Sequence, residues 1–117
     1  MKCAIVGSRS ITCYPIVEAF LDSYFSYNNI NIDLIVSGGA IGVDTLAEKY
    51  AKEKNIPTFI IKPEWDKYGK SAGFVRNRKI IESADLVIAF WDGKSKGTQN
   101  SLDIAKELHK KFVIIIF

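Results

Sequence analysis

Five short apolar runs, each separated from the next by a stretch long enough for a helix, constrain the fold of this chain more than any other feature. They span Cys3–Val6, Ile32–Val36, Thr58–Ile61, Leu86–Trp91 and Phe112–Phe117. Continuous apolar strands are typical of a parallel sheet that is buried on both faces. Because strands and helices alternate strictly, we predict a three-layer Rossmann-like α/β domain with a five-stranded parallel sheet and helices on both faces.

Four helices are predicted between these strands. The first has Thr12 as a candidate cap and Pro15 in its first turn, and the second ends near Lys54. The other two cover residues 73–83 and 98–110. The spacing of the first helix leaves Tyr14, Phe25 and Tyr27 on its exposed side, which together with the family resemblance described below leads us to expect a homo-oligomer, a dimer or larger.

The length and composition narrow the class of protein. A chain of 117 residues predicts a single domain, 1–117. The net charge of +3 is too small by itself to indicate nucleic-acid binding. No apolar run reaches the roughly 20 residues of a membrane span, so we expect no membrane partner. The two cysteines, Cys3 and Cys13, have no metal-ligand spacing, and we expect free thiols in a cytoplasmic protein with neither metal nor cofactor.

Glycine-containing turns follow the predicted strands. Residues 37–44 read Ser-Gly-Gly-Ala-Ile-Gly-Val-Asp and lead from the second strand into a helix. Such a turn brings backbone N–H groups close to an anion at the helix N-terminus. Residues 7–9 follow the first strand, 65–70 the third and 92–98 the fourth. Because ligands bind beyond the carboxyl ends of parallel strands, we expect these four segments to share one site.

Several side chains in these segments suit a phosphate-bearing ligand. Arg9 and Arg76 are candidates for phosphate binding, whereas Arg78 is as readily a solvated or ion-paired surface residue. The helix dipole stabilises an acidic residue such as Asp44 in the first turn of its helix, and Asp44 could also reach a ribose hydroxyl. Trp65 and Tyr68 could stack on a base or simply cover the sheet edge. The predicted ligand-binding residues are Gly7, Ser8, Arg9, Ser37, Gly38, Gly39, Gly42, Asp44, Trp65, Lys70, Arg76, Asn77, Asp92, Gly93, Gly97 and Thr98.

Two familiar phosphate-binding motifs do not fit. The dinucleotide fingerprint belongs after the first strand of its unit and has another glycine spacing. Gly69-Lys70-Ser71 mimics the end of a P-loop, but Glu64 stands where the first glycine is required.

As an ordered set, these motifs resemble the SLOG superfamily, Rossmann-like domains that include DNA-processing protein A and the Lonely-Guy hydrolases. The resemblance covers nearly the whole chain and is strongest to the small stand-alone YspA-like branch of bacterial and phage proteins. It implies binding, as a sensor or a sponge, of a nucleotide-derived ligand such as a nucleoside phosphate, an ADP-ribose-like molecule or a cyclic nucleotide. The DNA-processing branch implies an alternative, single-stranded DNA binding, for which a basic track around Lys62, Lys67, Lys70, Arg76 and Arg78 is the candidate.

A further alternative is a nucleoside 5′-monophosphate N-glycosidase. In the hydrolase branch, glutamates follow the second Gly-Thr, whereas here Gln99 and Asn100 follow Gly97-Thr98. Amides cannot take a proton or stabilise an oxocarbenium ion as a carboxylate does. Glu64, Asp92 and Asp103 are the weak candidates for a catalytic carboxylate, and the catalytic residues are otherwise unknown. The departure favours binding over cleavage.

Overall fold

The computed structural model describes residues 1–117, and its sheet has five parallel strands. They are β1 (Lys2–Gly7), β2 (Leu34–Ser37), β3 (Thr58–Ile60), β4 (Leu86–Trp91) and β5 (Lys111–Ile116), in the spatial order β3-β2-β1-β4-β5. The chain therefore leaves β1 toward one edge of the sheet and later returns to β4 on the other side of β1. In such sheets the crevice at this reversal of direction is where ligands bind.

Helices cover both faces of the sheet, which confirms the predicted three-layer fold. The helices are α1 (Tyr14–Tyr27), α2 (Val43–Glu53), α3 (Trp65–Tyr68), α4 (Ala72–Glu82) and α5 (Lys96–Glu107), with a 3-10 turn over Gly69–Ser71 after α3. One buried cluster joins α1 and α2 to the sheet, and the other joins α4 and α5 to its opposite face. None of the helices combines the length and the apolar character that a membrane span needs.

Neighbouring residues of β1 belong to the two different clusters. Ile5 lies in the α1–α2 cluster, and Ala4 and Val6 lie in the α4–α5 cluster. Successive side chains of a strand point to opposite faces, so both faces of β1 need apolar residues. The strands therefore appear in the sequence as continuous apolar runs, because side chains on both faces of the sheet are buried.

The structure corrects several predictions. The second strand begins at Leu34 rather than Ile32, and a short helix, α3, occupies most of residues 65–70, which were expected to form a turn. The N-cap of α1 is Cys13, which makes no side-chain capping bond, so the prediction of Thr12 is wrong. Phe25 is only 8% exposed and packs in the core, whereas Tyr27 is 89% exposed. Self-association stays a prediction, and Phe25 does not support it.

Candidate nucleotide-phosphate site

The ends of β1 and β4 are tied together at the reversal point. The N–H of Ser8 donates to the carbonyl of Phe90 (3.0 Å), and Ser8 Oγ accepts a hydrogen bond from the N–H of Asp92 (3.0 Å). Ser8 is 1% exposed, so its hydroxyl joins the ends of the two strands and is not accessible to a ligand.

Two adjoining cavities open at this end of the sheet. The inner pocket, about 480 Å³, lies between the ends of β1 and β4 and the start of α5, and Asp44, Asp92 and Thr98 are on its wall. The outer cavity, about 660 Å³, runs from the glycine turn after β2 to α3 and α4, and we call it the basic groove. Arg9, Ala40, Arg76, Asn77 and Gly97 line both. The two cavities therefore form one continuous candidate site.

The basic groove has a one-sided charge. Its lining includes five cationic side chains and no carboxylate. It also has two aromatic rings that face solvent: Trp65 is 58% exposed and Phe74 is 54% exposed. The cations are Arg9, Lys62, Lys70, Arg76 and Lys96. Cations next to exposed rings suit a ligand that has both phosphates and flat bases.

Arg76 connects the groove to the glycine turn. Its Nη1 donates to the carbonyl of Gly38 (3.0 Å), and its Nε donates to Oδ1 of Asn77 (3.0 Å). Burial lowers the pKa of Arg76, and the nearby Arg9 lowers it further, whereas Asp44 opposes the shift. Neither Arg9 nor Arg76 forms a salt bridge. Two guanidinium groups that line one cavity and are not paired with a carboxylate suit a phosphate-bearing ligand.

Asp44 lies at the back of the site, in the first turn of α2, and is 9% exposed. Its Oδ2 accepts the N–H of Ala40 (3.1 Å), which fixes the glycine turn. Burial raises the pKa of Asp44, and the Ala40 hydrogen bond, the charge of Arg76 and the Ser37 hydroxyl oppose that shift. An acidic side chain is thus kept near Arg76 without a salt bridge to it.

Asp92 organises the turn that leads into α5. Its Oδ1 accepts the N–H groups of Lys94 and Ser95 (2.8 Å each), and its Oδ2 accepts a hydrogen bond from Ser10 Oγ (3.0 Å). The two backbone hydrogen bonds are the main reason that the pKa of Asp92 falls to about 2. A carboxylate that stays ionised at neutral pH cannot donate the proton required of a general acid.

The other two candidate catalytic carboxylates lie outside both cavities. Glu64 Oε1 accepts a hydrogen bond from Lys79 Nζ (3.2 Å) in a surface ion pair. Asp103 is exposed and accepts a hydrogen bond from Gln99 (2.8 Å). Asn100, which stands where the resemblance leads one to expect a glutamate, accepts a hydrogen bond from Asn77 Nδ2 (3.1 Å).

The structure brings most of the predicted ligand-binding residues together and separates a few. Four of them lie away from both cavities: Ser8, Ser37, Gly42 and Gly93. Ser37 is fully buried and its Oγ has no hydrogen-bond partner, and Gly42 packs against the backbone of Arg9. Arg78 pairs with Glu107 at 2.6 Å, the surface ion pair that was one of its two interpretations. None of these five positions lines the candidate site.

Phe74 and Lys96 line the groove but were missed in the sequence. Phe74 lies in a helix where an aromatic residue suggests core packing, and Lys96 belongs to a polar turn. Spacing gave no signal for Phe74, because it stands seven residues before the buried Ile81 and therefore falls on the same face of a regular helix, the face expected to be buried.

Two solved structures share the fold of this chain. DNA processing protein A from Helicobacter pylori, whose structure is described for its single-stranded DNA binding mode, superposes with a TM-score of 0.72 and 26% identity over 97% of this chain and 64% of that chain. The same protein from Streptococcus pneumoniae shows the same fold, with a TM-score of 0.76 and 23% identity over 97% of this chain and 49% of that chain. The chain thus has the Rossmann-like fold of these proteins but spans only part of their length.

The sequence comparisons identify the family. The model of the YspA, cpYpsA-related SLOG family matches residues 1–68, and the chain belongs to this family. The Gene 61 protein of Mycobacterium phage D29 is 34% identical over 80 residues, which cover 63% of this chain and 64% of that protein. The match is therefore to part of the phage protein. The resemblance drawn from the ordered glycine motifs is confirmed.

Proposed function

We propose that the basic groove binds single-stranded DNA. The observation that carries the proposal is the lining of the groove: five cations and two exposed aromatic rings, with no carboxylate among them. Proteins that bind single strands combine a positive groove for the backbone with rings on which bases stack. The similarity to DNA processing protein A of Helicobacter pylori supports the same ligand class.

Fluorescence anisotropy with a labelled oligothymidylate of about 16 nucleotides would test this proposal. If all five cations contact phosphates, the plot of log affinity against log salt has a slope of about −3.5, since each contact adds about −0.7. Arg9→Ala and Lys70→Ala should each weaken binding and flatten the slope by about 0.7. Lys52→Ala is the matched control, because Lys52 is exposed on α2 and lines neither cavity.

The absence of any oligonucleotide binding at low salt would refute the proposal. Binding that Arg9→Ala and Lys52→Ala weaken equally would show that general surface charge, rather than the groove, holds the DNA.

A second candidate function is the binding of a small nucleotide-derived ligand in the inner pocket. The observation that favours it is the change of polarity from groove to pocket, where Asp44 and Thr98 lie behind the two arginines. A nucleoside phosphate has a charged end for Arg9 and Arg76 and a polar, uncharged end for the interior. Native mass spectrometry of the purified protein would detect a co-purified nucleotide, and calorimetry should show its affinity lost in Arg76→Ala.

Cleavage of that nucleotide has less support. The carboxylates on the inner pocket are Asp44, which holds the glycine turn, and Asp92, whose oxygens are occupied by hydrogen bonds. Incubation with nucleoside monophosphates should release no free base. Release that is abolished by Asp92→Asn would instead establish an N-glycosidase.

A further inference from the structure

Asp44 is held by one well-formed hydrogen bond. Its Oδ2 accepts the N–H of Ala40, and the Ser37 hydroxyl lies near the carboxylate, but no hydrogen bond to Oδ1 is formed. The oxygen is not sealed in the core, since Ser37 Oγ is the one fully buried side-chain polar atom without a partner. Asp44 is nine-tenths buried and lies on the wall of the inner pocket. A carboxylate oxygen on the wall of an open pocket is available to a hydrogen-bond donor of a ligand that displaces water from it.

The position of Asp44 relative to the cations defines which part of a nucleotide can reach it. A Cβ placed on Gly38 would lie 2.6 Å from Arg76 Nη1 and 2.9 Å from Asp44 Oδ2, so both side chains lie against the same residue. A phosphate is attracted to the guanidinium groups of Arg9 and Arg76 and repelled by the carboxylate. The phosphate therefore stays at the mouth of the pocket, and an uncharged part of the nucleotide enters.

The walls of the pocket suit the flat face of a base. Val6 and Ile80 give the pocket an apolar component, and Gly7 and Gly97 bring backbone without side chains to the cavity. The volume of about 480 Å³ has room for one purine. Single-strand-binding proteins commonly splay bases out of the strand and read their Watson–Crick edges.

On this basis, which depends on the function proposed above, we propose that the inner pocket accepts one unstacked base of the bound strand and selects guanine through Asp44. Guanine presents two adjacent donors, N1–H and the N2 amino group, which a carboxylate accepts together. Adenine and cytosine present one amino group beside a ring nitrogen that is itself an acceptor. Thymine presents N3–H between two carbonyl oxygens, which repel the carboxylate.

The test uses oligothymidylates that carry a single substituted base, with the unmodified protein. One guanine should raise affinity roughly 5- to 150-fold over thymine, the range of a good two-bond contact. Inosine, which lacks the N2 amino group, should give an intermediate affinity, and O6-methylguanine, which lacks N1–H, should lose most of the gain. Equal affinity for all of these strands would overturn the proposal while leaving single-stranded DNA binding intact.

A matched pair of variants assigns the selectivity to one residue. Asp44→Asn keeps an acceptor for Ala40 but replaces an acceptor by an amide NH₂, so the ratio of guanine to thymine affinity should fall to near one. Asp103→Asn makes the same chemical change outside both cavities and should keep the wild-type ratio. A guanine preference that survives in Asp44→Asn would refute the role of Asp44, and circular dichroism checks that the variant is folded.

The mononucleotides dGMP and dTMP separate this inference from the function on which it rests. Selective binding of dGMP without binding of any oligonucleotide would refute the DNA-binding proposal and support a guanine pocket. Binding of oligonucleotides without base preference would support the DNA-binding proposal and refute the guanine pocket.

Discussion

The guanidinium of Arg76 is hydrogen-bonded to the glycine turn: its Nη1 donates to the main-chain carbonyl of Gly38 (3.0 Å). The two residues are 38 positions apart in the sequence and belong to different sides of the groove. This bond sets the position of the cation without using a carboxylate. The charge of Arg76 is therefore not cancelled by a bonded partner and stays available to a ligand.

Replacement of Gly38 by alanine should separate binding from stability. The new Cβ would lie 2.6 Å from Arg76 Nη1 and 2.9 Å from Asp44 Oδ2, so the ends of both side chains must move. We expect DNA affinity to fall about tenfold or more, the range of a lost hydrogen bond to a charged group. The melting temperature should fall less than in a variant whose new Cβ meets backbone atoms, because here only side-chain ends must yield. Anisotropy and thermal denaturation measure the two effects.

Gly73→Ala is the control for this variant. Gly73 also lines the groove, but a Cβ there meets no atom within 4 Å. Because Gly73 lies in α4, alanine should stabilise the protein by up to about 1 kcal/mol and leave affinity unchanged. A loss of affinity in both variants would show that the groove tolerates no added methyl group, and the movement of Arg76 would not be the cause.

Gly42 and Gly93 share a φ of +79° but differ in how closely other atoms approach them. A Cβ on Gly42 would lie 2.5 Å from Arg9 Cα and 2.6 Å from Ser8 O, whereas one on Gly93 meets nothing within 4 Å. Gly93→Ala should cost about 1–2 kcal/mol in the free energy of unfolding, from the backbone conformation alone. Gly42→Ala should cost clearly more, since backbone atoms must shift. Similar losses in urea denaturation would contradict the close approach.

The regular elements were predictable because each carries its own local signal. The apolar run of β4 and the helical spacing of Leu102 and Ala105 follow from burial on known faces. The residues 65–71 contain a four-residue helix and a 3-10 turn, which are too short to show a period. The N-cap of α1 was missed because Pro15 can begin a helix without a capping side chain.

The location of the candidate site was predictable, but which of its residues line the cavities and which are buried or ion-paired was not. The sequence placed Arg9, Asp44 and Arg76 at one end of the sheet, since that depends only on which residues follow strands. It did not show that Ser37 is fully buried or that Arg78 pairs with Glu107. Those outcomes depend on side-chain contacts between elements far apart in the chain, and they have no local signature.

Trp65 should report on DNA binding directly. Stacking of a base on an exposed ring contributes about 1–3 kcal/mol, so Trp65→Ala should weaken oligonucleotide binding roughly 5- to 150-fold. DNA should also quench the tryptophan emission, and Trp65→Phe should abolish the quenching, because Trp91 is half-buried and its Nε1 donates to the carbonyl of Ser95 (3.1 Å).

Phe59→Ala is the corresponding control. Phe59 is 49% exposed, similar to Trp65, but it lies on β3 outside the groove. Its removal should leave affinity unchanged. Equal losses for Trp65→Ala and Phe59→Ala would argue against stacking in the groove.

The turn held by Asp92 should make the protein sensitive to acid. Hydrogen bonds from the N–H groups of Lys94 and Ser95 lower the pKa of Asp92 from 3.8 to about 2, so folding favours the ionised form. This contribution to stability is complete above about pH 4 and is lost as the pH falls through about 2. Asp92→Asn should lower the melting temperature at pH 7 and reduce the fall in stability between pH 4 and pH 2. Asp103→Asn should follow the wild-type curve; an Asp92→Asn curve that also does so would show that the bonds to Asp92 do not stabilise the fold.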